Sequence, residues 1–271
     1  MTLYRLSHLI CLLLGSAALG AAATTTPFEQ ANQHFKTGEF AAAARAYEQL
    51  LTTEGPRAAV FYNLGNSYQR LGQFGPAILA YERARLLSPR DPDLSVNLAL
   101  ARKAAAAFEE PGAHPRLDGL LNHLSCNEWS WLVAAAALAL GGLTLVCGAV
   151  PLPRRWLRTS ARVAAAMAGI TIVTGAAALY LRRGEHTRGI VLSAAATVRL
   201  SPFDSAEALG TPGPGRSVRL GAHTGAFRYV EVPATHLRGW MADADVAAII
   251  PSLILNPKEG KGNRLGWRFL P

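Results

Sequence analysis

Cysteine is scarce in this chain of 271 residues, which has three: Cys11, Cys126 and Cys147. A fold held together by several disulfide bonds is therefore excluded. Cys126 and Cys147 lie at opposite ends of one apolar run, and a helix of that length would separate their α-carbons by roughly 31 Å. A disulfide requires α-carbons within about 7 Å, so these two residues cannot bridge each other.

Signatures of catalysis are missing as well. The sequence has no His-Glu-x2-His, Gly-x4-Gly-Lys-Ser/Thr, Cys-x2-Cys or Gly-x-Ser-x-Gly segment. Zinc proteases, phosphate-binding loops, thiol redox centres and serine hydrolases use these spacings. The histidines show no metal-ligand spacing either. We therefore predict that the chain is not an enzyme and binds no metal and no cofactor, with hydrolysis of cell-wall fragments as a remote alternative.

Charged residues are few, at 17% of the chain against 50% hydrophobic, which is a low charged fraction for a soluble protein. Residues 129–150 contain no charge and would extend roughly 33 Å as a helix, while residues 163–181 would extend roughly 28 Å. Both lengths match the thickness of the bilayer hydrocarbon, about 30 Å. We predict transmembrane helices over residues 128–150 and 163–181, joined by a cytoplasmic loop over residues 151–162.

Small residues recur at helical spacing along both apolar runs, and Gly141 and Gly175 are among them. Small residues let membrane helices approach closely. We therefore expect both glycines to pack the two spans together, although alanine is abundant enough here for such a stripe to arise by chance.

Acidic residues are outnumbered, 18 to 27, which gives a formal charge of +9 and a pI near 9.9. Much of the excess flanks the two apolar runs, at Arg154, Arg155, Arg158, Arg162, Arg182 and Arg183. Arginines in such positions extend to the interface and meet anionic lipid. The charge therefore indicates a membrane surface, and we expect no nucleic-acid partner.

Residues 1–23 have the pattern of a secretory signal, with Arg5, an apolar core and then small residues ending at Ala23. An uncleaved anchor is the alternative, and either form exports the residues that follow. Arginines are balanced on the two sides of the predicted hairpin, so the signal decides its orientation. We expect a bacterial inner-membrane protein whose N- and C-terminal domains are both periplasmic.

A 34-residue period follows the signal. Asn63-Leu64 recurs as Asn97-Leu98, and the pattern Gly38-x-Phe40-x2-Ala43-x3-Tyr47 recurs as Gly72-x-Phe74-x2-Ala77-x3-Tyr81. This is the period of a helix-turn-helix repeat, and the second copy closely resembles the tetratricopeptide signature. We predict an α-helical solenoid over residues 24–108, with two repeats and a capping helix from Leu94 to about Ala107, then a linker over residues 109–127.

Repeats of this kind form grooves for other proteins. Six side chains are our candidates for a peptide groove: Asn32, Tyr62, Asn63, Asn66, Gln69 and Arg70. They could hydrogen-bond an extended or helical peptide. An exposed polar helix face is the alternative explanation for the same pattern.

Short β-branched and aromatic runs separated by proline and glycine follow the second apolar run, which predicts a small all-β barrel over residues 187–250. The order of Val198-Arg199-Leu200-Ser201-Pro202 and Gly239-Trp240-Met241 resembles a bacterial SH3 domain. Phe203, Tyr229 and Trp240 are candidates for its ligand face, and filling of the core is the alternative role for each. We interpret residues 251–271 as a flexible tail.

The whole layout resembles the BatE-type aerotolerance family: exported repeats, a two-span hairpin introduced by Asn127-Glu128-Trp129, and then an SH3-like domain. The resemblance implies an adaptor in envelope stress that acts with MoxR-type ATPases and with membrane proteins containing von Willebrand factor A domains. We therefore expect a membrane-anchored protein-protein interaction scaffold. The alternative is a sensor that binds peptidoglycan through the SH3-like domain.

Overall fold

The computed structural model describes residues 25–107, 119, 123–149, 155–233 and 235–250. The predicted signal, most of the linker and the predicted tail lie outside the described residues. In the part of the chain that the structure describes, five helices come first: α1 (Pro27–Lys36), α2 (Phe40–Thr53), α3 (Ala58–Arg70), α4 (Phe74–Leu87) and α5 (Pro92–Ala104). The predicted helical repeat region is confirmed, since α1 with α2 and α3 with α4 form consecutive pairs and α5 follows as a single helix.

Helices α1 and α5 begin where the sequence provides side-chain caps. At the start of α1, the Thr26 side chain accepts from the Glu29 amide and the Glu29 side chain accepts from the Thr26 amide, which makes a capping box. Asp91 caps α5 in the same position. Gly38 and Gly72 occupy the turns inside the two pairs with φ of 83° and 74°. Only glycine adopts that conformation without strain, which explains why glycine recurs at the same position of both pairs.

Two apolar helices follow: α6 (Cys126–Ala149) and α7 (Arg155–Arg182). Both are long and apolar enough to cross a membrane. The helix α7 begins before the predicted span, so the arginine-rich stretch from Arg155 to Arg162 is helical. The two helices pack at Gly175, where an added Cβ would overlap the Val133 side chain, whereas Gly141 faces open space.

The C-terminal region is an antiparallel sheet of seven short strands: β1 (Arg188–Val191), β2 (Val198–Arg199), β3 (Ala208–Gly210), β4 (Ser217–Thr224), β5 (Phe227–Glu231), β6 (Arg238–Ala242) and β7 (Val246–Ala248). Their order in the sheet is β3-β2-β6-β5-β4-β1-β7, and the sheet is open, with β3 and β7 as its edges. Every strand pair is antiparallel. The predicted β-structure is therefore present as a sheet with two edges.

The sheet has an apolar core of its own, and residues at one side of it also join the apolar core of the helical repeats. Side chains alternate between the two faces of a strand, and on β1 the buried Val191 belongs to the core of the sheet while the buried Ile190 belongs to the core of the repeats. Leu192 and Ile249 join the repeat core with Ile190. Helix α4 is consequently buried on more than one face.

Arg83 of α4 joins the two parts by hydrogen bonds. Its Nε donates to the Ile249 carbonyl at 3.2 Å and its Nη2 donates to the Ala248 carbonyl at 2.9 Å. Burial lowers the pKa of Arg83 to about 9, which still leaves the guanidinium charged at neutral pH. The end of strand β7 is thus held against the second helix pair.

Candidate functional site on the repeats

The six groove candidates lie on two neighbouring helices, Asn32 on α1 and the other five on α3. We call the surface that these six residues form, together with Asn97 of α5, the amide surface. Hydrogen bonds between helices join Asn63 to Asn32, and they join Asn97 to Tyr62 and Asn66. Gln69 accepts from the buried Tyr81, and Arg70 contacts the Phe40 ring.

The hydrogen bonds of the amide surface repeat with the period of the sequence. The Tyr47 hydroxyl donates to Asn32 Oδ1 at 2.6 Å and Asn63 Nδ2 donates to the same oxygen at 3.0 Å. One repeat later, the Tyr81 hydroxyl donates to Asn66 Oδ1 at 2.7 Å and Asn97 Nδ2 donates to it at 3.1 Å. Each asparagine therefore connects its own helix to the partner helix of the pair and to the next pair.

The two tyrosines that anchor these bonds have no solvent-accessible surface. Burial raises the pKa of Tyr47 to about 12 and raises the pKa of Tyr81 beyond its ordinary range. Both hydroxyls therefore remain protonated donors at physiological pH. The hydrogen bonds of the amide surface do not depend on pH in that range.

Gly65 fixes the distance between α3 and α4. A Cβ at this position would lie 2.6 to 3.0 Å from three atoms of the Tyr81 ring. The close approach lets the Tyr81 hydroxyl reach both Asn66 and, at 2.7 Å, Gln69 Oε1. Gly65 thus leaves room for the Tyr81 ring, which lets the two helices lie close together.

The 34-residue period of the sequence is repeated in the structure: the hydrogen bonds, the turn glycines and the buried tyrosines all recur at that interval. Residues 58–91 match the family model described as tetratricopeptide repeat. No curated protein and no solved structure matches the chain. The matched residues comprise α3, α4 and the turn after α4, which is one tetratricopeptide repeat.

The remaining members of the amide surface also have partners within helices α1 to α5, which we call the tetratricopeptide region after the repeat matched at residues 58–91. The Arg70 guanidinium lies 4.4 Å from the centre of the Phe40 ring. The Tyr62 ring packs against Tyr81 at 6.1 Å between centroids, and its hydroxyl accepts from Asn97 Nδ2 at 2.8 Å. The surface is thus preorganised, and a partner peptide would meet side chains that already hold fixed orientations.

Asn97 was not among the groove candidates, although its recurrence from Asn63 was visible in the sequence. Asn63 on α3 donates to Asn32 on α1. The residues 34 positions later are Asn97 on α5 and Asn66 on α3, so the sequence period predicts the second hydrogen bond. The sequence analysis also did not predict that the Tyr47 and Tyr81 hydroxyls donate to the asparagines. The spacing of these tyrosines indicates that their rings fill the core, but it gives no information about the hydroxyl groups.

The candidates on the sheet divide into a pair and a single residue. Tyr229 and Trp240 are direct cross-strand partners on β5 and β6, and their rings meet edge to face at 5.5 Å. Both are partly buried and lie on the face opposite the buried Val230 and Met241. Phe203 lies in the loop between β2 and β3 and is 64% exposed. Neither Tyr229 nor Trp240 is among the buried residues that form the apolar core of the sheet.

Among the residues that the structure describes, no group of three or more His, Cys, Asp or Glu side chains is arranged to hold a metal ion. The contacts recorded on the amide surface and at the Tyr229–Trp240 pair are hydrogen bonds, a cation–π contact and aromatic contacts. Such chemistry serves recognition.

Proposed function

We propose that the protein is a membrane-anchored interaction scaffold in which α6 and α7 cross the membrane and the amide surface binds a partner protein. The observation that carries this proposal is the preorganised amide surface on a tetratricopeptide repeat. Such repeats generally mediate binding between proteins. Hydrogen-bonding groups held in fixed positions reduce the entropy lost when a peptide binds.

The contact between α4 and the sheet supports one compartment for both soluble parts. Arg83 and the apolar core of the repeats join residues that precede the two apolar helices to residues that follow them. A chain that crosses the membrane twice returns to the side from which it started. Together with the predicted signal, this supports an inner-membrane protein with a periplasmic tetratricopeptide region and a periplasmic sheet.

We further propose that the partner is a membrane protein with a von Willebrand factor A domain, acting with a MoxR-type ATPase in an envelope-stress or aerotolerance complex of the BatE type. The support is the order of the parts: repeats, apolar hairpin and a sheet with Gly239-Trp240 on β6. We interpret this sheet as a variant of the bacterial SH3 domain. The partner remains bound to the same membrane in this proposal, which keeps the amide surface within its reach.

Photo-crosslinking in native membranes tests the partner proposal. A benzophenone residue at Lys36, which occupies in the first repeat the position of Arg70 in the second, should capture a membrane protein with a von Willebrand factor A domain, identified by mass spectrometry. The matched control is the same residue at the exposed Gln49 on α2. Equal adducts from both positions, or none from Lys36, would argue against binding at the amide surface.

Recognition of peptidoglycan by the sheet is the second candidate function. The observation that favours it is the exposed Phe203 together with the Tyr229–Trp240 ring pair, because aromatic faces pack against sugars and short peptides. The full chain in lipid nanodiscs should co-sediment with purified peptidoglycan, and Phe203→Ser should weaken this several-fold. Leu87→Ser, which alters an exposed apolar residue outside the sheet, is the control. Equal sedimentation of all three proteins above a wall-free blank would exclude this surface.

A further inference from the structure

Each of the three helices that carry the amide surface has an exposed basic residue in its last turn. Lys36 is the last residue of α1, Arg70 is the last residue of α3, and Lys103 lies in the last turn of α5. Lys36 and Arg70 are one 34-residue period apart, and Lys103 comes one residue before the next position of that series. We call these three residues the basic row.

The basic row lies along one edge of the tetratricopeptide region. Connections of three or four residues join successive helices from α1 to α5, and connections of that length join antiparallel neighbours. Helices α1, α3 and α5 therefore run parallel, with their C-terminal ends at the same edge. The contact of Arg70 with the Phe40 ring agrees with this placement, because Phe40 begins α2 directly after the turn that follows α1.

The cations lie beside the asparagines of the amide surface. Asn32 precedes Lys36 by four residues, and Asn66 precedes Arg70 by four residues. Residues four apart lie on the same face of a helix. A segment that binds to these asparagines therefore passes next to the basic row.

The helix dipole does not explain this pattern by itself, because it favours a cation at the C-terminal end of every helix. The last turn of α2 has no basic residue, and Arg85 in the last turn of α4 pairs with Glu82. Within the part of the chain that the structure describes, no acidic side chain forms an ion pair with a member of the basic row. The basic row can therefore pair with carboxylates of another molecule.

We propose that the partner segment bound at the amide surface is an extended acidic peptide with a carboxylate at every third position. Neighbouring helices pack about 8 to 10 Å apart, and an extended chain advances about 3.3 Å per residue. Three residues of the peptide therefore span the distance from one cation to the next. The inference rests on the proposed binding of a partner at the amide surface, and it adds the charge and the spacing of the segment that is bound.

Peptide binding to the full chain in phosphatidylcholine nanodiscs tests the charge and the spacing. The probes are fluorescent peptides of alanine and serine, blocked at both ends, with aspartate at every third position, with the same aspartates adjacent, or with lysine in their place. We expect the evenly spaced aspartate peptide to bind several-fold more tightly than the other two and to lose this advantage at high salt. Binding of the evenly spaced peptide that is no tighter than binding of either other peptide overturns the proposal.

Substitutions assign the preference to the basic row. A chain with Lys36→Gln, Arg70→Gln and Lys103→Gln should bind the evenly spaced peptide at least tenfold more weakly. The matched control removes three exposed cations elsewhere, with Arg45→Gln, Arg219→Gln and Arg238→Gln, and should leave binding unchanged. Equal weakening in the two chains would show that only net charge matters, which contradicts a specific role of the basic row.

The photo-crosslinking experiment separates this proposal from the partner proposal. If the photoreactive residue at position 36 captures a partner protein but the peptides show no preference for evenly spaced aspartates, the acidic segment is wrong and the scaffold function keeps its support. Mass spectrometry of the adduct also identifies the captured segment of the partner. A segment that carries net positive charge would overturn the proposal, and an acidic segment would support it.

Discussion

Asn32 and Asn66 each accept two hydrogen bonds. One comes from a buried tyrosine on the following helix, and the other comes from an asparagine on the helix after that. Their amides therefore contribute to the packing of the repeats as well as to the surface that a partner would meet. Replacing either residue changes both properties at once. A binding assay that relies on such a variant must be accompanied by a measurement of stability, and the photoreactive residue at Lys36 avoids this difficulty.

Gly65 offers a test of helix packing in which two effects have opposite signs. Glycine to alanine normally stabilises a helix by about 0.5–1 kcal/mol. We expect Gly65→Ala to destabilise the tetratricopeptide region by about 1–3 kcal/mol, because the new methyl group overlaps the Tyr81 ring. Thermal unfolding of the detergent-solubilised chain, followed by circular dichroism, measures this.

The control for Gly65 is the exposed Ala99 of α5, which lies one repeat period of 34 residues later in the sequence. Ala99→Gly should cost about 1 kcal/mol through helix propensity alone. A Gly65→Ala chain as stable as the unaltered chain, or more stable, would contradict the packing described for α3 and α4.

Glu48 makes stability depend on pH. Burial raises the pKa of this carboxyl above its ordinary 4.5, so the folded state binds the proton more tightly than the unfolded state. The cost of the buried charge is absent below pH 4.5, grows as the pH rises through the folded pKa, and then stays constant. Glu48→Gln removes this cost and retains an oxygen that accepts from Tyr68.

We therefore expect Glu48→Gln to unfold at a higher temperature than the unaltered chain at pH 7 and at nearly the same temperature at pH 4. Glu54→Gln changes an exposed carboxylate that is paired with Arg57 and serves as the control. If the unfolding temperatures of Glu48→Gln and the unaltered chain differed most at pH 4, the trend with pH would be opposite to that expected for a carboxyl whose pKa is raised by burial.

The helices of the repeats were predictable from the sequence because turn glycines and core tyrosines recur at one period. The sequence did not predict the environment of α4. Glu82 and Arg83 are 1% and 5% exposed, although charged residues at such positions normally indicate a solvated face. Glu82 is buried because Arg85 and Arg102 pair with it, and Arg83 is buried by strands that are distant in the sequence.

The strands were predictable as short apolar runs, but their order in the sheet was not. Pairing between such short strands is decided by long-range packing, and the period-2 pattern of a short run carries little information about partners. The small barrel was predicted from short strand-like runs separated by proline and glycine, and only the SH3 likeness rested on the order of features. The structure has the strands and the Tyr229–Trp240 pair, with open edges at β3 and β7.

Helices α6 and α7 contact each other at Gly175. Gly175→Leu should separate them, because the space beside Gly175 is filled by Val133 and Trp129. Gly141→Leu should be tolerated, because an added side chain there meets open space. We expect the melting temperature of the detergent-extracted protein to fall by several degrees for Gly175→Leu only. Equal effects of the two substitutions would mean that the helices pack through a different face.

The tetratricopeptide region and the sheet are connected in sequence by the apolar hairpin and in space by the contact of α4 with the sheet. Arg90 and Glu128 add an ion pair between the loop after α4 and the first turn of α6. The tetratricopeptide region is therefore oriented relative to the hairpin, and in our proposal this presents the amide surface to partners in the same membrane.

In the proposed topology, the tetratricopeptide region and the sheet face one aqueous compartment and the connection between α6 and α7 faces the other. Single cysteines at Gln49, Glu207 and Arg158, in chains whose native cysteines are serine, can be labelled on intact spheroplasts with a membrane-impermeant maleimide. We predict that Gln49→Cys and Glu207→Cys react from outside and that Arg158→Cys reacts only after permeabilisation. Labelling of Gln49→Cys and Glu207→Cys from opposite sides of the membrane would contradict the account.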